Sequence, residues 1–308
     1  MMATNADVVL RAHAVNGERP SWDELRRVLY FVDMRAPALH AFYPDAGRHT
    51  WWDMPDWIGT FGIYENGCLA VALRTGLHFF DPIKGSLKML APAPYDSRRY
   101  CFNDGRCDRQ GRLILGPMYH PLGPHDLQPE AGEHAPLWRF DGAHGLTALP
   151  LHEVKVANGL AFSPDGRTLY HSDTTKKTVW ACDYDPPTGA IENCRIFARV
   201  EGGGDDGGPD GATVDKDGFY ICAVFGAGCL MRFDPDGVLE RRIELPVRYP
   251  TMPALGGADR STLYVTSASF PSKASPVEHP DDGSLLALEA PTPGLPTSYM
   301  SPPEEFAS

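Results

Sequence analysis

The chain lacks any run of Lys or Arg that could follow a phosphate backbone, and its net charge is −12. Nucleic acid is therefore not an expected partner, and the acidity reads first as a means of staying soluble. It also lacks a long apolar run. The opening stretch MMATNADVVLRAH has no leader-like hydrophobic region, because Asp7 and Arg11 interrupt it. Neither a signal peptide nor a membrane span is expected from it. Cysteine numbers 7, an odd count with no C-x-x-C pair, and no N-x-[ST] acceptor occurs. Free thiols in a reducing cytoplasm are the expectation. G-x-S-x-G, a Walker A loop and H-E-x-x-H are all missing, which leaves serine-hydrolase, phosphoryl-transfer and zincin chemistry without support. Amphipathic helical periodicity is nearly absent. Residues 21–28 could form a turn or two of helix, but Pro20 and the β-prone VLYFVDM predict a turn leading into a strand.

Punctuation and repetition take their place. Gly and Pro, 31 and 29 of 308 residues, are spread along the whole chain and mark many turns. Between them one pattern recurs six times: an apolar β-prone run, a short polar turn, a second run, then a Pro/Asp/Gly turn. It appears as LYFVDMRAPALHAFYPDAG from 29, LAVALRTGLHFFDPIKG from 69, and LILGPMY from 113 with APLWRFDGAHG from 135. It returns as LYHSDTTKKTVWACDYDPPTG from 169, FYICAVFGAGCLMRFDPDG from 219, and LYVTSASF from 263 with GSLLALEAPTPG from 283. Shorter candidate strands lie between the units, at 59, 103, 158, 210 and 253. About four strands per unit at this spacing predicts an all-β fold, a six-bladed β-propeller around a central channel, as a single domain over 1–308. A β-sandwich with appendages does not explain six copies.

The stretch VANGLAFSPDGRTLYHSD, from 156, shows where polar residues fall in this repeat. Pro164-Asp165-Gly166 is hairpin chemistry, with Pro setting φ and Gly accepting positive φ. Asn158-Gly159 instead opens an inner strand, where a polar side chain would face the axis. Comparable starts carry Glu18, Asn103 and Asp210 in other units. Glu, Asn, Asn and Asp offer only hard oxygen ligands, so such a ring suits Ca2+, Mg2+ or Mn2+, and suits Zn2+ or Fe2+ less well without imidazole. The plainer reading is that each Asn/Asp-Gly is only a turn; recurrence at the same register weighs against it. The Asp-rich segments at 205 and 215 lack EF-hand spacing. His120, His125 and His134 fall in a long Pro/Gly-rich insertion, as a rim contact or a solvated loop.

At these residues the chain resembles the gluconolactonase and senescence-marker-protein (regucalcin) family, which includes luciferin-regenerating-enzyme-like proteins. The matching pieces are GERPSWDELRRVLYFVDM, FNDGRCDRQGRL, ANGLAFSPDGRTLYHSDT, PDGATVDKDGFYICAVFGAGCLMRFDPDG and ALGGADRSTLYVTSA, in order along nearly the whole chain. The resemblance implies a six-bladed propeller holding one divalent metal, with Glu18, Asn158 and Asp210 as ligands. It implies substrate contacts from Asn103 and Asp104, and a lactonase acting on sugar-acid lactones. The family usually has Arg where this chain has Cys101. Arg98 or Arg99 is then the candidate replacement, or the pocket takes a less polar lactone, with His120 a further candidate contact. Asp210 is the expected general base. The expected partner is a small sugar lactone, met by a monomer or weak homo-oligomer. Rival classes are a metal-dependent esterase or phosphotriesterase, a non-catalytic calcium-binding regulator, and a protein-interaction propeller.

Overall fold

The computed structural model describes residues 6–122, 134–142, 144–202, 207–269 and 279–303. A short strand, β1 (Asp7–Leu10), precedes five four-stranded blades in chain order. Blade I is β2 (Gly17–Asp23), β3 (Val28–Asp33), β4 (Ala38–Tyr43) and β5 (Arg48–Asp53). Blade II is β6 (Ile58–Ile63), β7 (Leu69–Leu73), β8 (Gly76–Asp81) and β9 (Ser86–Pro92). Blade III is β10 (Tyr100–Cys107), β11 (Leu113–Tyr119), β12 (Trp138–Phe140) and β13 (Leu146–Ala148). Blade IV is β14 (Ala157–Phe162), β15 (Thr168–Asp173), β16 (Thr178–Asp185) and β17 (Ala190–Arg199). Blade V is β18 (Gly208–Val214), β19 (Tyr220–Phe225), β20 (Cys229–Phe233) and β21 (Leu239–Glu244). Blade VI takes β22 (Pro250–Gly256), β23 (Thr262–Ser267) and β24 (Leu285–Glu289), and β1 pairs antiparallel with β24 to complete it. The ring is thus closed by the first strand lying on the last blade, where it covers the outer edge of β24.

The burial pattern explains the sequence pattern. Blades stack face to face, so their inner and middle strands have neighbours on both faces. β3, β6 and β7 are buried along their whole length, whereas the outer strands β9 and β21 are mostly exposed. Continuous apolar runs such as LAVAL follow from burial on two sides, and alternation from burial on one. The apolar clusters accordingly fill the wedges between neighbouring blades, as where Val28, Val32 and Leu39 of blade I join Ile58, Phe61 and Val71 of blade II. Burying side chains of this kind is worth roughly 1.5–3 kcal/mol each.

Two features position the site. Every inner strand shifts register near its start: between Glu18 and Ser21, Ile58 and Thr60, Phe102 and Gly105, Asn158 and Ala161, Pro209 and Ala212, and Pro250 and Met252. A bulge re-aims the side chains beside it, here into the channel. Buried aspartates then fasten the connections. Asp33 accepts from the amides of Val15, Asn16, Arg35 and Ala36 at 2.7–3.1 Å.

The expectation of free thiols is corrected at one place. Cys182 on β16 and Cys194 on β17 form a disulfide, with Cα atoms 4.0 Å apart. A register shift between Ala181 and Asp183 brings the two side chains together. Cys68, Cys101, Cys107, Cys222 and Cys229 are free. Among the described residues, no helix is long and apolar enough to cross a membrane.

Candidate metal and active site

Four inner strands bring Glu18, Asn103, Asp104, Asn158 and Asp210 to one mouth of the channel, each buried. Blade II contributes Gly59 to the same small cleft, beside Glu18, Arg19, Met34, Asn103, Asp104 and Asn158. The bulge on β14 depends on Gly159. Its φ is +64°, and a Cβ there would lie 2.3 Å from the Tyr220 hydroxyl, which donates to the Gly159 carbonyl at 3.0 Å.

A chain of hydrogen bonds fixes the orientation of Asn158. The Thr174 hydroxyl donates to the Pro209 carbonyl at 2.8 Å, so it can only accept from Asn158 Nδ2, also at 2.8 Å. That places Asn158 Oδ1 on the channel side, where it accepts from Asn103 Nδ2 at 3.0 Å. Asn103 Nδ2 also donates to the Ala157 carbonyl at 2.9 Å. Both amides therefore have assigned ends, which a lone Asn in a turn would not.

The acids divide by their donors. Asp104 accepts from Gly105 N and Leu160 N, both at 2.7 Å, and so braces β10 against β14. Burial raises its pKa, opposed by Arg19 and Arg106. Among the described residues, Glu18 receives only the Arg19 amide, at 3.2 Å. Burial, then the charges of Asp210 and Asp104, push Glu18 well above the usual carboxylate range. Asp210 is likewise pushed well above it by burial and then by Asp104, against the Gly211 amide alone. Desolvated carboxylates held in one another's field with few donors resist ionising together. A dication would relieve both the repulsion and the shortage of donors, so Glu18, Asp210 and the Asn158 oxygen fit a hard cation. Among the described residues no group of three or more His, Cys, Asp or Glu side chains is arranged for a metal. The fit here uses two acids and an amide.

The other sequence candidates lie differently. Cys101 was expected to face substrate. It is fully buried in the apolar cluster that includes Met54 and Trp57, with Sγ 3.9 Å from the Met118 carbonyl. Arg99 is exposed on the rim, its guanidinium 5.8 Å from the Tyr119 ring, and its carbonyl accepts from His120 N. His120 packs on Trp57 at 4.5 Å and meets the buried Arg74, whose Nη2 is 2.7 Å from Nδ1. His134 is half-buried, and its carbonyl accepts from the Tyr100 hydroxyl. His125 lies outside the described residues. The sequence reading missed Thr174, which orients Asn158, and the arginines Arg19 and Arg106 inside the channel. The latter were visible one and three residues after Glu18 and Asn103 on the same inner strands.

A bulged propeller whose channel gathers hard oxygen donors at one mouth is thus the class that fold and site define. Residues 16–269 match the SMP-30/Gluconolactonase/LRE-like region, and the chain belongs to that family. It is 37% identical to 6-deoxy-6-sulfogluconolactonase of Pseudomonas putida over 93% of this chain and 95% of that one. It is 35% identical to L-arabinolactonase of Azospirillum brasilense over 82% and 80%. The calcium-binding protein regucalcin of Agrobacterium tumefaciens is a structural neighbour with a TM-score of 0.84 and 26% identity, covering 95% of this chain and 97% of its own.

Proposed function

We propose that the protein is a divalent-metal-dependent hydrolase that opens a sugar-acid lactone to its aldonate. The observation carrying this reading is the convergence of two donor-poor acids, Glu18 and Asp210, with an Asn158 oxygen oriented toward them. These residues would hold a cation of the Ca2+, Mg2+ or Mn2+ kind. When bound, it would supply Lewis acidity to the lactone carbonyl and lower the pKa of water at the site. The relatives named as lactonases, at 37% and 35% identity, support the substrate class. The calcium-binding neighbour supports the cation class.

The chain's own residues have separable tasks. Asp210 accepts the proton of the attacking water, because among the described residues only the Gly211 amide competes for its carboxylate. Asn103 has both amide hydrogens committed, to Ala157 and Asn158, which leaves its carbonyl oxygen as an acceptor for a sugar hydroxyl. Asp104 acts as a positioning residue through its backbone bonds to two strands. His120, held by Arg74 against Trp57, forms part of the rim that substrate meets.

The test is pH-indicator hydrolysis of an aldonolactone panel, including a 6-sulfo substrate, by chelator-stripped protein. Ca2+, Mg2+, Mn2+, Zn2+ and Fe2+ are added back singly. Acid release above the spontaneous rate, restored by metal, is the expected result. Full activity after stripping would remove the metal from the mechanism. Hydrolysis of aryl esters or paraoxon with no lactone turnover would make the protein an esterase or phosphotriesterase. Cation binding with no turnover of any substrate would make it a calcium-binding regulator.

A further inference from the structure

The channel has a second chamber, on the far side of the ring from Glu18 and Asp210. Two guanidiniums lie between them. Arg19 Nε donates to Thr60 Oγ1 of blade II at 3.0 Å, and its Nη1 to Ser21 Oγ at 2.8 Å. Arg106 Nε donates to the Leu160 carbonyl of blade IV at 3.0 Å, and its Nη2 to the Ala212 carbonyl of blade V. All these acceptors are neutral. Among the described residues neither guanidinium makes an ion pair, and Arg19 Nη2 and Arg106 Nη1 have no hydrogen-bond partner. Two acids lie in the field of Arg19, Asp104 and Glu18, and neither forms an ion pair with it; Asp104, the acid that also faces Arg106, has its oxygens on backbone amides. Arg19 is 4% exposed and Arg106 is half-buried. Guanidiniums drawn out of water with donors unused are complemented by an anion.

There is room for one. Arg19 and Arg106 line a cavity of ≈ 130 Å³ whose walls include Trp22, Phe162 and Leu255. Its outer side is crossed by the C-terminal segment, with Leu295 and Thr297 among the lining residues. That segment is tied to three blades. Its Pro293 carbonyl accepts from Lys216 N at 2.9 Å, Thr297 Oγ1 donates to the Trp22 carbonyl at 2.7 Å, and Met300 N donates to the Ile63 carbonyl at 2.8 Å. The chamber is therefore cationic at its floor and apolar at its wall.

We propose that this chamber binds a small organic carboxylate, its head group on Arg19 and Arg106 and a short apolar chain against Trp22, Phe162 and Leu255. The planar guanidinium fork matches a carboxylate in geometry as well as charge. An inorganic anion would leave the apolar wall unused, and a neutral amide would leave the charges unpaired. The proposal is independent of lactone hydrolysis, since it concerns metal-free protein and the opposite end of the channel.

The experiment is calorimetric titration of chelator-stripped protein in carboxylate-free buffer with butyrate, butyramide and chloride, together with a co-crystal structure with butyrate. Saturable one-to-one binding of butyrate, no heat from butyramide and weaker binding of chloride are expected, with butyrate seen on both arginines. Arg19→Gln, which keeps a donor for Thr60, should weaken butyrate about tenfold or more, as loss of a charged hydrogen bond does. Leu295→Trp, which fills the chamber from the C-terminal segment without altering charge, should also abolish binding if Arg19→Gln proves unstable. Butyrate binding no better than butyramide or chloride would overturn the proposal. So would butyrate found only at the Glu18 and Asp210 mouth, or a chamber holding water alone.

Discussion

The tripeptide Pro-Asp-Gly occurs at 164–166, 209–211 and 235–237, and its copies have two different fates. At 164–166 it turns the hairpin from β14 to β15: Gly166 has φ +73°, and Asp165 is exposed, accepting from Ser163 Oγ and Arg167 N. At 235–237 it joins β20 to β21, with Gly237 at φ +83° and Asp236 exposed. At 209–211 the same letters lie inside β18, Asp210 is 6% exposed, and its neighbours are other acids. The difference lies in place within the repeat. A hairpin tip reaches water, whereas an inner-strand start reaches the axis. A local motif of this kind carries no function of its own; the register of the blade assigns it one.

The largest effect should separate the copies by activity. Asp210→Ala is expected to lower lactone kcat/KM by about 10²–10⁴-fold, the range for a lost general base, and to leave a folded propeller. Steady-state kinetics with circular dichroism checks it, and a folded, metal-loaded Asp210→Ala enzyme keeping most of its activity would put Asp210 back among the turns. The next effect acts through orientation. Thr174→Val removes the acceptor that, among the described residues, sets the Asn158 amide, so cation affinity should fall about 10–100-fold, as when other outer partners of metal ligands are removed. Titration calorimetry reads this directly, and unchanged affinity would mean that Asn158 is oriented by other contacts.

A third effect is in the response to pH. Glu18 and Asp210 are raised in the fold, by burial first and by their acidic neighbours second. The metal-free native state therefore keeps protons that the unfolded chain has already released above the ordinary carboxylate range. Native protein binding more protons means that stability falls as pH rises from that range through the raised values. Metal-free wild type should lose Tm as pH rises above about 4, the usual carboxylate pKa, and go on losing it until both raised acids have ionised. Asp210→Asn, or saturating cation, should flatten the slope. Parallel slopes for wild type and Asp210→Asn would show that the two acids do not share a field.

Much of this was legible before any coordinates. The blades announce themselves because strands buried on both faces must be largely apolar, and VLYFV, LAVAL and YICAV are. The start of each inner strand was legible from the register of the repeat. What escaped depends on distance in sequence. Thr174 meets Asn158 only through the β14–β15 hairpin, 16 residues away. The closing strand β1 is four residues long and pairs with a strand at the other end of the chain. Cys182 and Cys194 face each other because of a bulge, which composition cannot foretell. Cys101 was expected in the pocket because the family that the chain resembles usually has Arg at that position. A thiol is shorter than the Arg it replaces, and here it packs in the apolar cluster with Met54 and Trp57.

The smallest effect completes the comparison from the other side. Asp165 is exposed, and its carboxylate makes only local bonds, to Ser163 Oγ at 2.6 Å and Arg167 N at 3.0 Å. Asp165→Ala removes the anchor of a turn whose tip is already in water, so the expected cost is about 0.5–1 kcal/mol, that of one ordinary hydrogen bond. The Ser163 hydroxyl keeps its contact with Thr168 N at 2.9 Å, and the turn keeps the Gly166 to Ser163 backbone bond at 2.8 Å. Nothing in that loop touches the channel, so cation affinity and lactone kinetics should equal those of wild type. Denaturant titration and the metal-reconstituted assay read the two quantities separately. A fall in cation affinity in Asp165→Ala would mean that the hairpin tip and the inner strand are coupled along β14, and that identical tripeptides are not as independent as their positions make them.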